Sequence, residues 1–242
     1  MKVVMPIAGL GSRFTKVGIN TPKPLIDIMG KKMIQWSRES IPFAKNEDFI
    51  FIVRKEHVDK YHIDEELKKI FGQKIKIIII DYVTEGMACT VLLAKEYITN
   101  DEQLIITDAD HYFVNKKYYD QVQHPEKYPE ISGAIPTFEA TDPKWSFSKI
   151  DENGYITEIA EKNPISPYAN VGEYYFKHGK DFVSAAEEMI KKNLRVRNEF
   201  YVAPVYNLLI SKGYKFTAPV CDEMWGLGTP EDVEIFKEKH SK

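Results

Sequence analysis

Val3-Val4-Met5-Pro6-Ile7, running into Ala8-Gly9-Leu10-Gly11-Ser12-Arg13-Phe14 and then Thr21-Pro22-Lys23-Pro24-Leu25, decides how this 242-residue chain is read. A short apolar strand delivers the backbone to a loop with two glycines, which can approach an anion closely and turn N–H groups toward it. Arg13 and Lys23 add fixed positive charge beside those dipoles. The stretch therefore reads as a phosphate cradle at the end of a strand. Two familiar cradles are excluded by their own requirements. A dinucleotide loop needs a third glycine where Phe14 stands, and a Walker loop needs Gly-Lys-Ser/Thr where the chain has Gly11-Ser12-Arg13.

Outward from the cradle, strands and helices alternate. Lys31 to Phe43 has helical spacing and ends at Pro42, and Phe49 to Val53 is an apolar run of the kind buried on both faces of a parallel sheet. The pattern then predicts a helix over Glu56–Phe71, a strand over Lys74–Ile80, a helix over Gly86–Tyr97 and a strand at Leu104–Ile106 that leads into Asp108-Ala109-Asp110. This rhythm argues for right-handed crossovers in a parallel sheet. From Ile131 it changes. Strands are predicted at 131–138, 147–150, 155–160 and 171–176, with Asn153-Gly154 as a hairpin turn. Helices follow at Lys180–Lys192 and Phe200–Ser211, Gly213 precedes a strand at Tyr214–Ala218, and Thr229-Pro230 opens the last helix.

Composition bounds the function. At 43 % hydrophobic residues the chain can bury one large core, and its 33 basic and 36 acidic residues leave a net charge of −3 with no basic run. Nucleic acid and membrane are therefore not expected partners, and small molecules are. No apolar segment is long enough to span a bilayer or act as a leader, so a cytoplasmic protein is expected. Cys89 and Cys221 lie outside any metal or disulfide pattern and are expected to be buried thiols. The six histidines, His57, His62, His111, His124, His178 and His240, form no hydrolase or zinc motif.

The loop resembles the G-x-G-x-R and P-K-P signature of nucleotidylyltransferases that activate sugar phosphates and related compounds. The likeness continues through Glu85-Gly86-Met87-Ala88, the Asp110 region, Glu161-Lys162-Asn163-Pro164, Asn170 to Tyr175, Asn198 to Tyr201 and Trp225 to Pro230. It implies a three-layer α/β fold of Rossmann-like, nucleotide-diphospho-sugar transferase type with a mixed, mainly parallel sheet. It also implies one domain over 1–242, with residues 1–130 as the nucleotide-binding half and 131–242 as the acceptor half with the C-terminal helices. The implied reaction joins an NTP to a phosphate monoester and releases pyrophosphate. Without a C-terminal repeat domain of acyltransferase type, a single activity is expected.

By the same resemblance, Arg13 and Lys23 bind the NTP phosphates, with Lys23 at the transition state. Ala8, Gly9, Leu10, Gly11 and Ser12 hold the nucleotide by their backbone, and Glu85, Gly86 and Ala88 lie beside the base. Asp110 is the expected ligand of Mg²⁺ (or Mn²⁺), with Asp108 as a second ligand or support. Glu161, Lys162, Gly172, Glu173, Tyr174 and Glu199 are expected to face a phosphorylated acceptor, a sugar or a phospho-amino-acid. Trp145, Trp225 and most tyrosines are expected in the core or at the rim. The run Thr84 to Lys95 looks like that of capsule-associated cytidylyltransferases acting on phosphoglutamine, which favours CTP. One position departs from the pattern. Many relatives carry a metal-binding Asp where this chain has Gly226, leaving Asp108, Asp222, Glu223 or water to complete the site. Two other readings share these features: a non-catalytic sensor of NTP or NDP-sugar, and a glycosyltransferase using Asp108-Ala109-Asp110. Arg13 and Lys23 weigh against the second, because a glycosyltransferase has no pyrophosphate to hold.

Overall fold

The computed structural model describes residues 1–9 and 11–240. In chain order the first half contains β1 (Lys2–Pro6), α1 (Ser12–Thr15), β2 (Asp27–Ile28), β3 (Lys31–Lys32), α2 (Met33–Glu39), β4 (Phe49–Arg54), α3 (Lys55–Tyr61), α4 (Ile63–Phe71), β5 (Lys76–Ile80), α5 (Met87–Leu92), α6 (Lys95–Ile98), β6 (Leu104–Thr107), β7 (His111–Val114) and α7 (Lys116–Gln123). The second half contains β8 (Gly133–Ala134), β9 (Thr137–Glu139), β10 (Ser146–Ile150), β11 (Ile156–Glu161), β12 (Tyr168–Asn170), β13 (Glu173–Phe176), α8 (Gly179–Lys191), α9 (Val205–Ile210), β14 (Phe216–Thr217), β15 (Glu223–Gly226) and α10 (Pro230–His240).

A seven-stranded sheet in the order β14-β8-β13-β6-β1-β4-β5 runs through the middle. Its strands are parallel except β13, which is antiparallel to both β6 and β8. Side chains alternate across it: Val4, Ile50, Ile52 and Ile106 pack toward α5, α8 and α9, whereas Val3, Met5, Phe51 and Ile105 pack toward α2, α4 and α7. Both faces are thus covered, which makes three layers and explains why β4 is apolar at every position from Phe49 to Val53. A smaller antiparallel sheet, β11-β10-β12-β9, stands beside it. Its β10–β11 hairpin turns at Gly154 (φ +82°), with the Asp151 carboxylate accepting from the N–H groups of Asn153 and Tyr155.

The course of the chain differs from the sequence pattern where single residues interrupt a run. The helix expected over Glu56–Phe71 is two helices, broken at His62, which takes the left-handed conformation (φ +50°). The helix over Gly86–Tyr97 likewise divides at Leu93-Ala94, and Phe200–Ser211 becomes helical only from Val205, after Pro204. The strand over 131–138 splits at Pro136, which has no N–H for a ladder, so β8 joins the large sheet and β9 the small one. The isoleucine run of β5 forms an edge and leaves Ile79 half exposed. Cys89 and Cys221 are free and only part-buried, not core residues as expected. Among the described residues no helix is long and apolar enough to cross a membrane.

Candidate active site

The order of strands reverses at β1: β4 and then β5 lie to one side of it and β6 to the other. Loops leaving the carboxyl ends of β1 and β6 therefore open a crevice, the position where α/β sheets bind ligands. From β1 comes the cradle. Gly11 at φ +62° turns the chain into α1, its carbonyl accepting from the Phe14 N–H at 3.0 Å. Phe14 is buried and its neighbours are not, so α1 is pinned by one ring while Ser12 and Arg13 face outward into a cleft of about 230 Å³ shared with Gly11, Lys23 and Gly228. The Lys23–Leu25 turn buries Pro24 and Leu25 and directs the Lys23 ammonium into an ion pair with Asp110. Leu10, expected in the nucleotide-holding backbone, lies outside the described residues.

Asp108 and Asp110 follow β6. Two distant glycines make room for them. A Cβ at Gly172, whose φ is +98°, would stand 2.7 Å from the Asp108 carboxylate, and one at Gly228 would stand 2.9 Å from that of Asp110. Backbone bonds hold the same contacts, Asp108 N–H to the Gly172 carbonyl at 3.0 Å and Leu227 N–H to the Asp110 carbonyl at 2.7 Å. Burial, reinforced by the neighbouring Asp110, pushes the Asp108 carboxyl upward. Burial acts on Asp110 as well, but Lys23, with His111 and Arg13, outweighs it and holds that group low. Both carboxylates line one cleft and offer hard oxygen donors of the kind a hard cation takes. Among the described residues no group of three or more His, Cys, Asp or Glu forms a metal site, and the pair Asp108 and Asp110 offers the few carboxylate oxygens that fit Mg²⁺ completed by substrate phosphate and water. Asp222 and Glu223 do not replace the carboxylate absent at Gly226. Asp222 accepts from the Lys116 N–H, and Glu223 accepts from the Trp225 indole. His111 is buried and structural, its carbonyl accepting from Ser37 and its ring set against Thr107.

Clefts open on both sides of this pair. On one side Ala8, Gly9, Gly86 and Met87 line about 230 Å³ that extends to Asp108. Gly86 (φ +136°) is demanded by a neighbour: a Cβ there would lie 2.5 Å from the backbone N and O of Phe200. Phe200 donates to the Glu85 carbonyl and accepts from the Ala88 N–H, both at 2.9 Å. Ala88 is consequently a core residue with its donor already used, not a nucleotide contact as expected. Glu85 is exposed and paired with Arg195.

On the other side Arg13, Lys144, Glu161, Lys162, Gly172 and Tyr174 enclose about 230 Å³ with both aspartates. Lys162 adopts φ +56°, an uncommon conformation for a side-chain-bearing residue, and its ammonium meets the Tyr201 hydroxyl at 2.9 Å and Glu161 at 3.7 Å. Burial raises the Glu161 carboxyl. Glu173 departs from expectation. Strand alternation turns it to the opposite face from Tyr174, where it is fully buried with both oxygens lacking a hydrogen-bond partner. It cannot face an acceptor there. Burial pushes it up to about 8, and the nearby Tyr118 and Thr107 hydroxyls offset only part of that. Glu199 stays exposed on a tight turn, its N–H bonded to the Val196 carbonyl.

The sequence model of nucleotidyl transferases matches residues 2–233. The chain belongs to the nucleotidyl transferase family. It is 23 % identical over 242 residues to the low-salt glycan biosynthesis nucleotidyltransferase Agl11 of Haloferax volcanii, with 96 % of this chain and 64 % of that protein covered. It is 28 % identical over 120 residues to choline-phosphate cytidylyltransferase of Streptococcus pneumoniae, covering 49 % of this chain and 48 % of that one. The chain thus spans about half to two thirds of the length of these relatives. Among solved structures it is similar to the nucleoside-diphosphate-sugar pyrophosphorylase of Vibrio cholerae RC9, with a TM-score of 0.82, 27 % identity, and 98 % and 99 % of the two chains covered.

For this member of the nucleotidyl transferase family, several lining residues escaped the sequence reading. Trp145, expected in core or rim, forms a wall of the cleft, and Lys144 and Tyr201 stand in it. Lys144 lies in a loop without periodicity or motif, so nothing local announces it. Gly228 carried a signal, the Trp225 to Pro230 motif, although only the fold shows that its missing side chain accommodates Asp110.

Proposed function

We propose that the chain is a nucleotidylyltransferase that moves an NMP from an NTP to a phosphorylated small molecule and releases pyrophosphate, with residues 1–130 serving the nucleotide and 131–242 the acceptor. The observation that carries this reading is the meeting of two clefts at Asp108 and Asp110, with Lys23 and Arg13 on the phosphate side and Lys162 on the acceptor side. The acceptor phosphate oxygen forms a bond to the α-phosphorus as the bond from that phosphorus to the oxygen bridging to the β-phosphorus breaks. The electron pair leaves with pyrophosphate. Arg13 and the Gly11–Ser12 backbone hold the β- and γ-phosphates, and Lys23 stands where charge accumulates on the bridging oxygen. Lys162 orients the acceptor phosphate for in-line attack. Asp110 and Asp108 would hold Mg²⁺ (or Mn²⁺), whose charge neutralises the phosphate oxygens as the polyanions meet.

CTP is the favoured nucleotide, supported by the Thr84–Lys95 run and by the cytidylyl transfer named for the pneumococcal relative. The acceptor class is a sugar 1-phosphate or a phosphorylated amino acid or alcohol, and the setting is the supply of surface-polysaccharide precursors in the cytoplasm. Pyrophosphate release measured over the four ribonucleoside triphosphates and dTTP with Mg²⁺ and a panel of sugar 1-phosphates, phosphocholine and phosphoglutamine tests the reading. Release with one nucleotide–acceptor pair well above the others is expected. Absence of release from every pair, with NTP still bound, would replace it with the sensor.

A further inference from the structure

A cation that no motif announces stands in the acceptor cleft. Lys144, in the loop between β9 and β10, meets Asp232 at 3.2 Å and lies over the Trp145 ring at 5.1 Å. Its partner is firmly placed, for Asp232 sits in the first turn of α10 with its N–H bonded to the Thr229 hydroxyl at 3.1 Å. Gly226 completes the arrangement. A Cβ there would lie 3.3 Å from the Trp145 ring and 3.8 Å from the Asp232 carboxylate, so a side chain at 226 would intrude on the space in which indole and carboxylate meet. The glycine keeps that seat open, and the carboxylate beside it carries the Lys144 ammonium. As a stability device this part-exposed pair contributes little. As a binding device it is well placed, because the same cleft sets three carboxylates, Asp108, Asp110 and Glu161, against Arg13 and Lys162, and a phosphate dianion entering it adds negative charge that a third cation helps to balance.

We propose that Lys144 binds the phosphate of the acceptor, opposite Lys162, and that Asp232 and Trp145 hold its ammonium in place. The assignment rests on the nucleotidyl-transfer reading for its substrate and on geometry alone for its anion. Trp145 supplies a reporter. Inorganic phosphate titrated into the whole protein should shift the Trp145 indole N–H resonance. In Lys144→Met, which keeps the aliphatic stem on the indole, the apparent Kd for phosphate should rise roughly tenfold or more, as expected for loss of a charge-assisted contact. Lys144→Arg should retain most of the affinity, and Asp232→Asn should lose part of it. Once a productive pair is known, Lys144→Met should raise KM for the acceptor and leave KM for the NTP unchanged. Equal phosphate affinity in wild type and a folded Lys144→Met, or a wild-type indole indifferent to phosphate, would overturn the proposal. Failure of every nucleotide–acceptor pair in wild type would overturn the transferase reading instead, and the phosphate titration would still decide the role of Lys144.

Discussion

Arg13 and Lys23 reach their cleft from one short stretch between β1 and β2, whereas Lys144, Lys162 and Tyr201 reach theirs from three separate segments of the second half. On the phosphate side the chain uses what a loop after a strand supplies by itself: glycine conformations, N–H groups and nearby cations. On the acceptor side it builds a wall from a hairpin end, a residue with positive φ and an aromatic hydroxyl, each set by tertiary contacts. The contrast fits the chemistry. Triphosphate is common to many reactions and needs charge at fixed spacing, but an acceptor must be told from its analogues and needs a shaped surface.

The largest effect should come from the phosphate side. Lys23→Ala removes the charge at the junction and frees Asp110, so kcat should fall about 10²–10³-fold, the range for losing a transition-state donor, with an unchanged circular dichroism spectrum. Near-normal turnover would undo the assignment. The junction itself can be broken without touching a charge. Gly172→Ala sets a Cβ 2.7 Å from the Asp108 carboxylate at φ +98°, whereas Gly154→Ala meets nothing within 4 Å at φ +82°. Both should lower stability by about 1–3 kcal/mol through backbone strain, seen as a lower denaturation midpoint, but only Gly172→Ala should lose activity. Equal activities would show that the fit around Asp108 is unimportant. On the acceptor side Lys162→Met should raise KM for the acceptor about tenfold or more with little change in KM for the NTP; a rise in both would merge the two clefts into one.

The smallest expected effect on activity lies beneath both clefts. Burial pushes the Glu173 carboxyl up to about 8 in the fold from its ordinary value of 4.5. The unfolded chain therefore releases this proton at lower pH than the folded one. The stability that Glu173 contributes is full below pH 4.5 and is lost as pH rises toward about 8. Glu173→Gln should remove from the pH profile of stability a slope approaching about 1.4 kcal/mol per pH unit, while leaving activity in place. A profile identical to wild type would mean that the carboxyl is satisfied in the fold.

The same contrast governs how much the sequence disclosed. The glycine turn after β1, the β4 core strand, the turn at Gly154 and the Thr229 cap were readable because each depends on a few adjacent residues and a local rule. Glu173 misled because β13 is antiparallel within a parallel sheet, and a motif by itself does not say which face a strand residue takes. Ala88 misled because its N–H is claimed by Phe200, far away in sequence. The roles of Gly172 and Gly228 became visible only once distant carboxylates were placed against them.

Phe14, which pins the cradle, packs in a cluster with Ile26, Ile28 and Met33 and with Leu227, Val233 and Phe236. The backing of the N-terminal loop is thus supplied from the far end of the chain. On the ribosome, Arg13 emerges long before the ring beside it has anything from α10 to rest on. A nascent chain halted before residue 227 would display the whole glycine loop and lack half of its support. Triphosphate binding should accordingly wait for α10 and not arrive with the loop that does the holding.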